Sequence, residues 1–64
     1  MDDEFLALDV VVNKKSAVAL ATFLKRVTWS EMKNCASSDE EIYTMRDGIV
    51  ALEKALNEQG VYAL

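Results

Sequence analysis

Few residues of this chain could act in catalysis or bind a metal, and the sequence places no suitable second group near them. The sequence contains no histidine and a single cysteine, Cys35. It therefore lacks the commonest general base and the ligand set of a Cys/His zinc site, and an intramolecular disulfide cannot form. It also has no glycine-rich phosphate loop and no Ser or Cys beside an activating base. We expect no enzymatic activity, no cofactor and no small-molecule substrate.

The densest group of carboxylates is Asp39-Glu40-Glu41. Consecutive positions on a helix point in different directions, and the group lacks the glycine turn of a calcium loop. Three acids in the first turn of a helix do suit the positive end of its dipole. We interpret them as a solvated helix start and expect no metal site.

The element that follows these acids is a long helix predicted over residues 39–59. Its large apolar side chains recur at spacings of three and four, the pattern of a helix that packs along its length. Ser38 and Glu41 form a predicted capping box, and Gly60 is placed to end the helix. The apolar residues of this seam are Ile42, Met45, Ile49, Leu52 and Leu56.

Two further features flank the seam. Tyr43 and Val50 form a second, narrower apolar stripe, and Gly48 and Ala55 form a strip of small residues. Glycine destabilises a helix by about 1 kcal/mol relative to alanine. Gly48 therefore indicates either that a neighbouring helix approaches closely or that the glycine is tolerated without any packing role. Trp29 and Tyr43 are aromatics of the kind that anchor interfaces, although a tryptophan can also close one end of a small core.

Residues 5–12 are predicted to form a strand, because Val10-Val11-Val12 is β-branched and the run is short. A lone strand leaves its backbone groups unpaired. We expect it to pair with its own copy, with residues 61–64 or with another protein.

Two shorter helices are predicted between the strand and the long helix. Asn13 is a good N-cap for the first, over residues 14–27. Thr28 and Glu31 form a capping box for the second, over residues 29–35. The predicted fold class is therefore mainly α with one short N-terminal strand, in the order β-α-α, within a single domain of residues 1–64.

Size and composition favour association. A chain of 64 residues buries only about 60% of the surface that its unfolded form exposes, and 52% of these residues are hydrophobic. Without disulfides or metals, a second copy is the simplest source of further burial. We expect a homodimer.

The net charge of −4 argues against a nucleic-acid-binding surface, which needs clustered Lys and Arg. A strand followed by two helices is nevertheless the order of elements in ribbon-helix-helix repressors, which insert a paired ribbon into the major groove. The strand face of Phe5, Ala7, Asp9 and Val11 is poorly suited to reading bases. A DNA-binding regulator of that type stays the alternative function.

The start Met1-Asp2-Asp3-Glu4 is acidic where a signal peptide would be basic, and no apolar run is long enough to span a membrane. We expect a cytoplasmic protein with no membrane association, in which Cys35 is a free thiol.

Residues 17–62 resemble a family of small, uncharacterised proteins found in prophages and other bacterial mobile elements. This resemblance implies a phage or host-accessory context in a bacterial cell and assigns no catalytic or binding residue. The matching residues are Phe23-Leu24-Lys25-Arg26-Val27, Trp29-Ser30-Glu31, Tyr43, Met45-Arg46-Asp47, Ala55-Leu56, Glu58, Gly60 and Tyr62.

The predicted function is a non-enzymatic protein–protein interaction module, a phage-encoded homodimeric adaptor or inhibitor of a host protein. Its surface would combine apolar contacts with an acidic rim. The candidate interface residues are Phe5, Leu8, Val10, Trp29, Tyr43, Met45, Gly48, Ile49, Leu52, Ala55 and Leu56.

Overall fold

A computed structural model describes residues 4–64 of the chain, which contain three helices. They are α1 (Lys14–Arg26), α2 (Trp29–Cys35) and α3 (Asp39–Glu58). Each begins at its predicted first residue, and α1 and α3 end one residue earlier than predicted. Met1, Asp2 and Asp3 of the acidic start lie outside the described residues.

The predicted strand over residues 5–12 is wrong. Residues 4–13, called here the N-terminal segment, have no regular secondary structure, and each of them is exposed. The β-branched residues favour extended backbone, but a strand also needs a neighbour to complete its hydrogen-bonded ladder. The C-terminal residues do not supply one, because the Leu64 N–H donates to the hydroxyl oxygen of Thr22 on α1, at 3.2 Å.

The predicted fold class, mainly α with one N-terminal strand, is wrong because the strand predicted over residues 5–12 is absent. Within the described range the chain is a three-helix protein without a strand, so the β-α-α order is wrong. The ribbon-helix-helix topology is wrong for the same reason, because its defining element is the strand that pairs across the dimer.

Side chains at the N-termini of the helices accept hydrogen bonds from backbone N–H groups that have no partner within the helix. The Asn13 side chain accepts from the Ser16 N–H at 2.8 Å and so starts α1. At α2, the Thr28 hydroxyl accepts from the Glu31 N–H, and the Glu31 carboxylate accepts from the Thr28 N–H at 2.9 Å. The capping box predicted there is thus present.

The start of α3 differs from the prediction in one bond. The Ser38 hydroxyl accepts from the Glu41 N–H at 3.2 Å, as a capping box requires. The Glu41 carboxylate, however, accepts from the N–H of Ser37 and not from that of Ser38. Ser38 is therefore the N-cap, but the Glu41 carboxylate accepts its hydrogen bond from the residue before the cap.

A Schellman motif ends α3. Gly60 has a φ of +81°, which an L side chain rarely adopts. Its N–H donates to the Asn57 carbonyl and the Val61 N–H donates to the Leu56 carbonyl, both at 2.9 Å. The chain reverses here, which allows residues 61–64 to return to α1.

Both α1 and α2 pack against α3, and the core they make is small. One large side chain, Ile42 near the start of α3, is fully buried, at 1% exposure. The other buried residues of the described chain are Ala17, Ala21 and Leu24 of α1. Two of these three are alanines, so the buried interior contains little apolar volume.

The molecule is flat. Its principal extents are 33 × 28 × 14 Å, so the shortest is no more than half of either of the others. The radius of gyration, 12.9 Å, also exceeds the roughly 10.7 Å expected of a compact chain of this length.

Candidate interaction surface

Large apolar side chains cover much of the outside of this protein. Fourteen of them are exposed in the described residues, compared with four hydrophobic residues in the core. They are Phe5, Leu6, Leu8, Val10, Val11, Val12, Leu20, Phe23, Trp29, Tyr43, Val50, Leu52, Tyr62 and Leu64.

The N-terminal segment contributes the most exposed members of this set. Phe5 is 91% exposed and Val11 96%, so these side chains make almost no contact with the rest of the chain. Leu8 and Val10, the other candidate interface residues of the segment, are about two-thirds exposed, at 69% and 66%. All three candidates from the predicted strand are therefore accessible, although the strand itself is absent.

The α3 seam is covered unevenly. Ile42 is buried, Met45, Ile49 and Leu56 are half-buried, and Leu52 is exposed at 39%. The two helices that pack on α3 thus cover the start of the seam fully and the rest of it in part. The seam is neither a closed core nor a wholly free surface.

An aromatic pair lies where α2 meets α3. The rings of Trp29 and Tyr43 have centroids 5.1 Å apart and planes at 67°, an edge-to-face contact. Trp29 is the first residue of α2, so the Thr28 capping box fixes its position, and Tyr43 follows one turn into α3. Both side chains keep exposed surface, at 42% and 59%. The two rings are therefore in contact with each other and remain accessible from outside.

The small-residue strip is open to solvent. Gly48 and Ala55 are both exposed, and a Cβ added at Gly48 would meet nothing within 4 Å. No part of the described chain therefore approaches α3 closely over Gly48.

A basic flank on α1 was missed as a candidate site. The helix contains four of the seven basic residues, in its first turn and its last, and no acid. At about 100° per residue, these four positions fall within an arc of about 120° that also contains Val18. The separation of charge along the chain is visible in the sequence and could have identified this flank.

The basic flank borders an apolar depression of about 400 Å³, called here the α1 cleft. The hydrogen bond between Leu64 and Thr22 holds the C-terminus against α1 and so supplies one wall. Sequence patterns gave no signal for that long-range contact. The residues that line the cleft are Lys14, Lys15, Val18, Ala19 and Leu64.

The acidic residues and the cysteine lie apart from these features. Asp39, Glu40 and Glu41 occupy the first turn of α3 and are exposed, and Cys35 is an exposed free thiol at the end of α2. Within residues 4–64, no three His, Cys, Asp or Glu side chains come together in a group able to hold a metal ion. In the same range, no helix has the length and apolar character needed to cross a membrane.

Comparison with known proteins yields a family but no described relative. The model of a family of unknown function, DUF7706, matches residues 1–63. No curated protein and no solved structure matches the chain.

Proposed function

The chain belongs to DUF7706, a family of unknown function, and we propose that it is a small non-enzymatic interaction module that acts as a homodimer. The exposed apolar surface is the observation that carries this proposal. Its size, compared with that of a compact monomer, supports a second copy as the first partner.

The accessible surface of the single chain is too large for its mass. It measures 5685 Å² for 7.1 kDa, whereas a compact monomer of that mass exposes about 4,100 Å². The excess is roughly 1,600 Å². A standard protein–protein interface removes about 800 Å² from each partner. The excess is thus large enough for one such interface and leaves further surface uncovered.

The fraction of surface that the single chain buries on folding also favours a second copy as partner. The unfolded chain exposes about 10,300 Å² by the same scaling, so the single chain buries about 45% of it, where about 60% is usual at this size. The missing burial cannot be supplied by a disulfide, because Cys35 is the only cysteine. Association with a second copy can supply it.

A second interaction is proposed for the Trp29–Tyr43 pair. Its edge-to-face geometry and partial exposure suit a hydrophobic anchor for a different protein. We propose a bacterial host protein as that partner and a phage gene as the origin, as the resemblance drawn from the sequence implies. The exposed free Cys35 fits the reducing cytoplasm of such a cell.

Light scattering on a size-exclusion column, over a hundredfold dilution, tests the homodimer. We expect twice the chain mass of 7.1 kDa at the higher concentrations. A mass of one chain at every concentration would refute the homodimer.

The second interaction is tested with the immobilised protein and extracts of a bacterial host. We expect the wild type and an exposed control variant, Lys54→Ala, to retain the same host protein, and Tyr43→Ala to lose it. Equal retention by both variants would exclude the aromatic pair as the anchor.

A further inference from the structure

We propose that the N-terminal segment of each copy docks in the α1 cleft of the other copy. This inference rests on the proposed homodimer and names the surfaces that join it. The exchange is reciprocal, because both copies present the same segment and the same cleft, as two-fold symmetry requires.

Charge complementarity favours this occupant. The sequence up to Val12 contains four acids and no base, and α1 contains four bases and no acid. The rest of the chain is acidic, with seven acids against three bases. A basic, partly apolar flank in an otherwise acidic protein is therefore complementary to the N-terminal segment, which combines Glu4 and Asp9 with exposed apolar side chains.

The two acids of the segment face opposite sides. Glu4 and Asp9 are five residues apart, and successive side chains of extended backbone alternate between two faces. Docking in the α1 cleft therefore places one of the two acids beside Lys14 and Lys15.

Apolar contact supplies the rest of the interface. Phe5, Leu6 and Leu8 lie between the two acids and are exposed at 69–91%. The α1 cleft presents Val18 and Leu64 together with the aliphatic stems of its lysines. Docking would remove both sets of apolar groups from water.

The segment does not occupy the cleft of its own chain. Asn13 enters α1 with extended backbone, at φ −73° and ψ 158°, and its side chain is held by the bond from the Ser16 N–H. The cleft begins at Lys14, directly after this cap. To reach it, the segment would have to reverse within Val11 and Val12, and its apolar side chains Phe5 and Leu6 stay 91% and 87% exposed instead. A second copy meets the segment without such a reversal.

A charge exchange between two variants tests the proposal. The segment variant carries Glu4→Lys and Asp9→Lys, and the cleft variant carries Lys14→Glu and Lys15→Glu. Each alone places like charges together in its homodimer, so we expect the dissociation constant, measured by analytical ultracentrifugation, to rise at least tenfold for each. An equimolar mixture should form a heterodimer that is tighter than either homodimer, because each segment then meets opposite charge at residues 14 and 15 of the other copy.

Matched controls separate this effect from net charge and from folding. Lys33→Glu with Lys54→Glu has the same net charge as the cleft variant, and Asp47→Lys with Glu58→Lys has that of the segment variant. Both control proteins should dimerise like the wild type. Circular dichroism should show the same helix content in all five proteins.

The outcomes distinguish the inference from the homodimer itself. If the wild type dimerises but the mixture stays monomeric, or if the cleft variant dimerises like its control, the docking contact is wrong and the homodimer stands. If the wild type is a monomer throughout, the homodimer and this contact are both wrong.

Discussion

Ile42→Ala should destabilise this protein more than alanine at any other position of the α3 seam. Ile42 is the one large side chain that is fully buried among the described residues, at 1% exposure. Truncating a buried isoleucine to alanine costs about 2–5 kcal/mol of unfolding free energy. The better helix propensity of alanine offsets this by up to about 0.5 kcal/mol, so we expect a loss near 3 kcal/mol.

That loss is large for so small a protein. A chain of 64 residues has an expected stability of about 3–10 kcal/mol, so the variant would lose a third or more of it. With a urea slope of about 1 kcal/mol per M, the unfolding midpoint should fall by roughly 3 M, or the protein should be unfolded in buffer.

Urea unfolding followed by circular dichroism at one protein concentration measures this difference. Ile49→Ala is the matched control, because it is the same substitution on the same helix at a half-buried side chain. We expect it to cost about half as much, following its burial. A loss below about 1 kcal/mol at Ile42, or a larger loss at Ile49 than at Ile42, would refute the packing described here.

Three further predictions concern single local contacts, each measured as a change in unfolding free energy. Gly60→Ala should lower the unfolding free energy by about 1–2 kcal/mol, because φ is +81° there. Gly48→Ala should raise it by about 0.5–1 kcal/mol, because alanine favours a helix and the added Cβ meets nothing within 4 Å. A higher unfolding free energy in both variants would contradict the Schellman motif. Thr28→Ala removes the capping box of α2 and should cost about 1 kcal/mol, and no change would mean that the cap is not formed in solution. A double-mutant cycle of Trp29→Ala and Tyr43→Ala should give a coupling of about 0.5–1.5 kcal/mol, which would vanish if the rings are not in contact.

The helices were predictable because their signals are local. Asn13, Thr28 and Ser38 are caps whose side chains reach N–H groups three residues away, so the sequence alone specifies where each helix begins. Gly60 marks the end of α3 because few other residues tolerate its backbone conformation.

The strand was not predictable in the same way. The β-branched run at Val10 to Val12 does favour extended backbone, but a strand is completed by a neighbour that the described chain does not provide. The β propensity of these residues predicts extended backbone, but it does not predict whether a neighbouring strand is present.

The candidate site was partly visible in the sequence. Aromatic character identified Trp29 and Tyr43, but their edge-to-face contact depends on how α2 packs on α3. The α1 cleft depends on the return of Leu64 to Thr22, a contact between residues 42 positions apart that no local pattern specifies. Only the charge of α1, four bases without an acid, could be seen beforehand.

The dependence of thermal stability on protein concentration tests most directly whether a second copy completes this fold. If unfolding separates two copies, each tenfold dilution lowers stability by about 1.4 kcal/mol per dimer, or about 0.7 kcal/mol per chain. Over a hundredfold dilution we expect the unfolding midpoint to fall by about 5–10 °C. A midpoint that stays constant across that range would show that the single chain folds alone with its apolar surface in water.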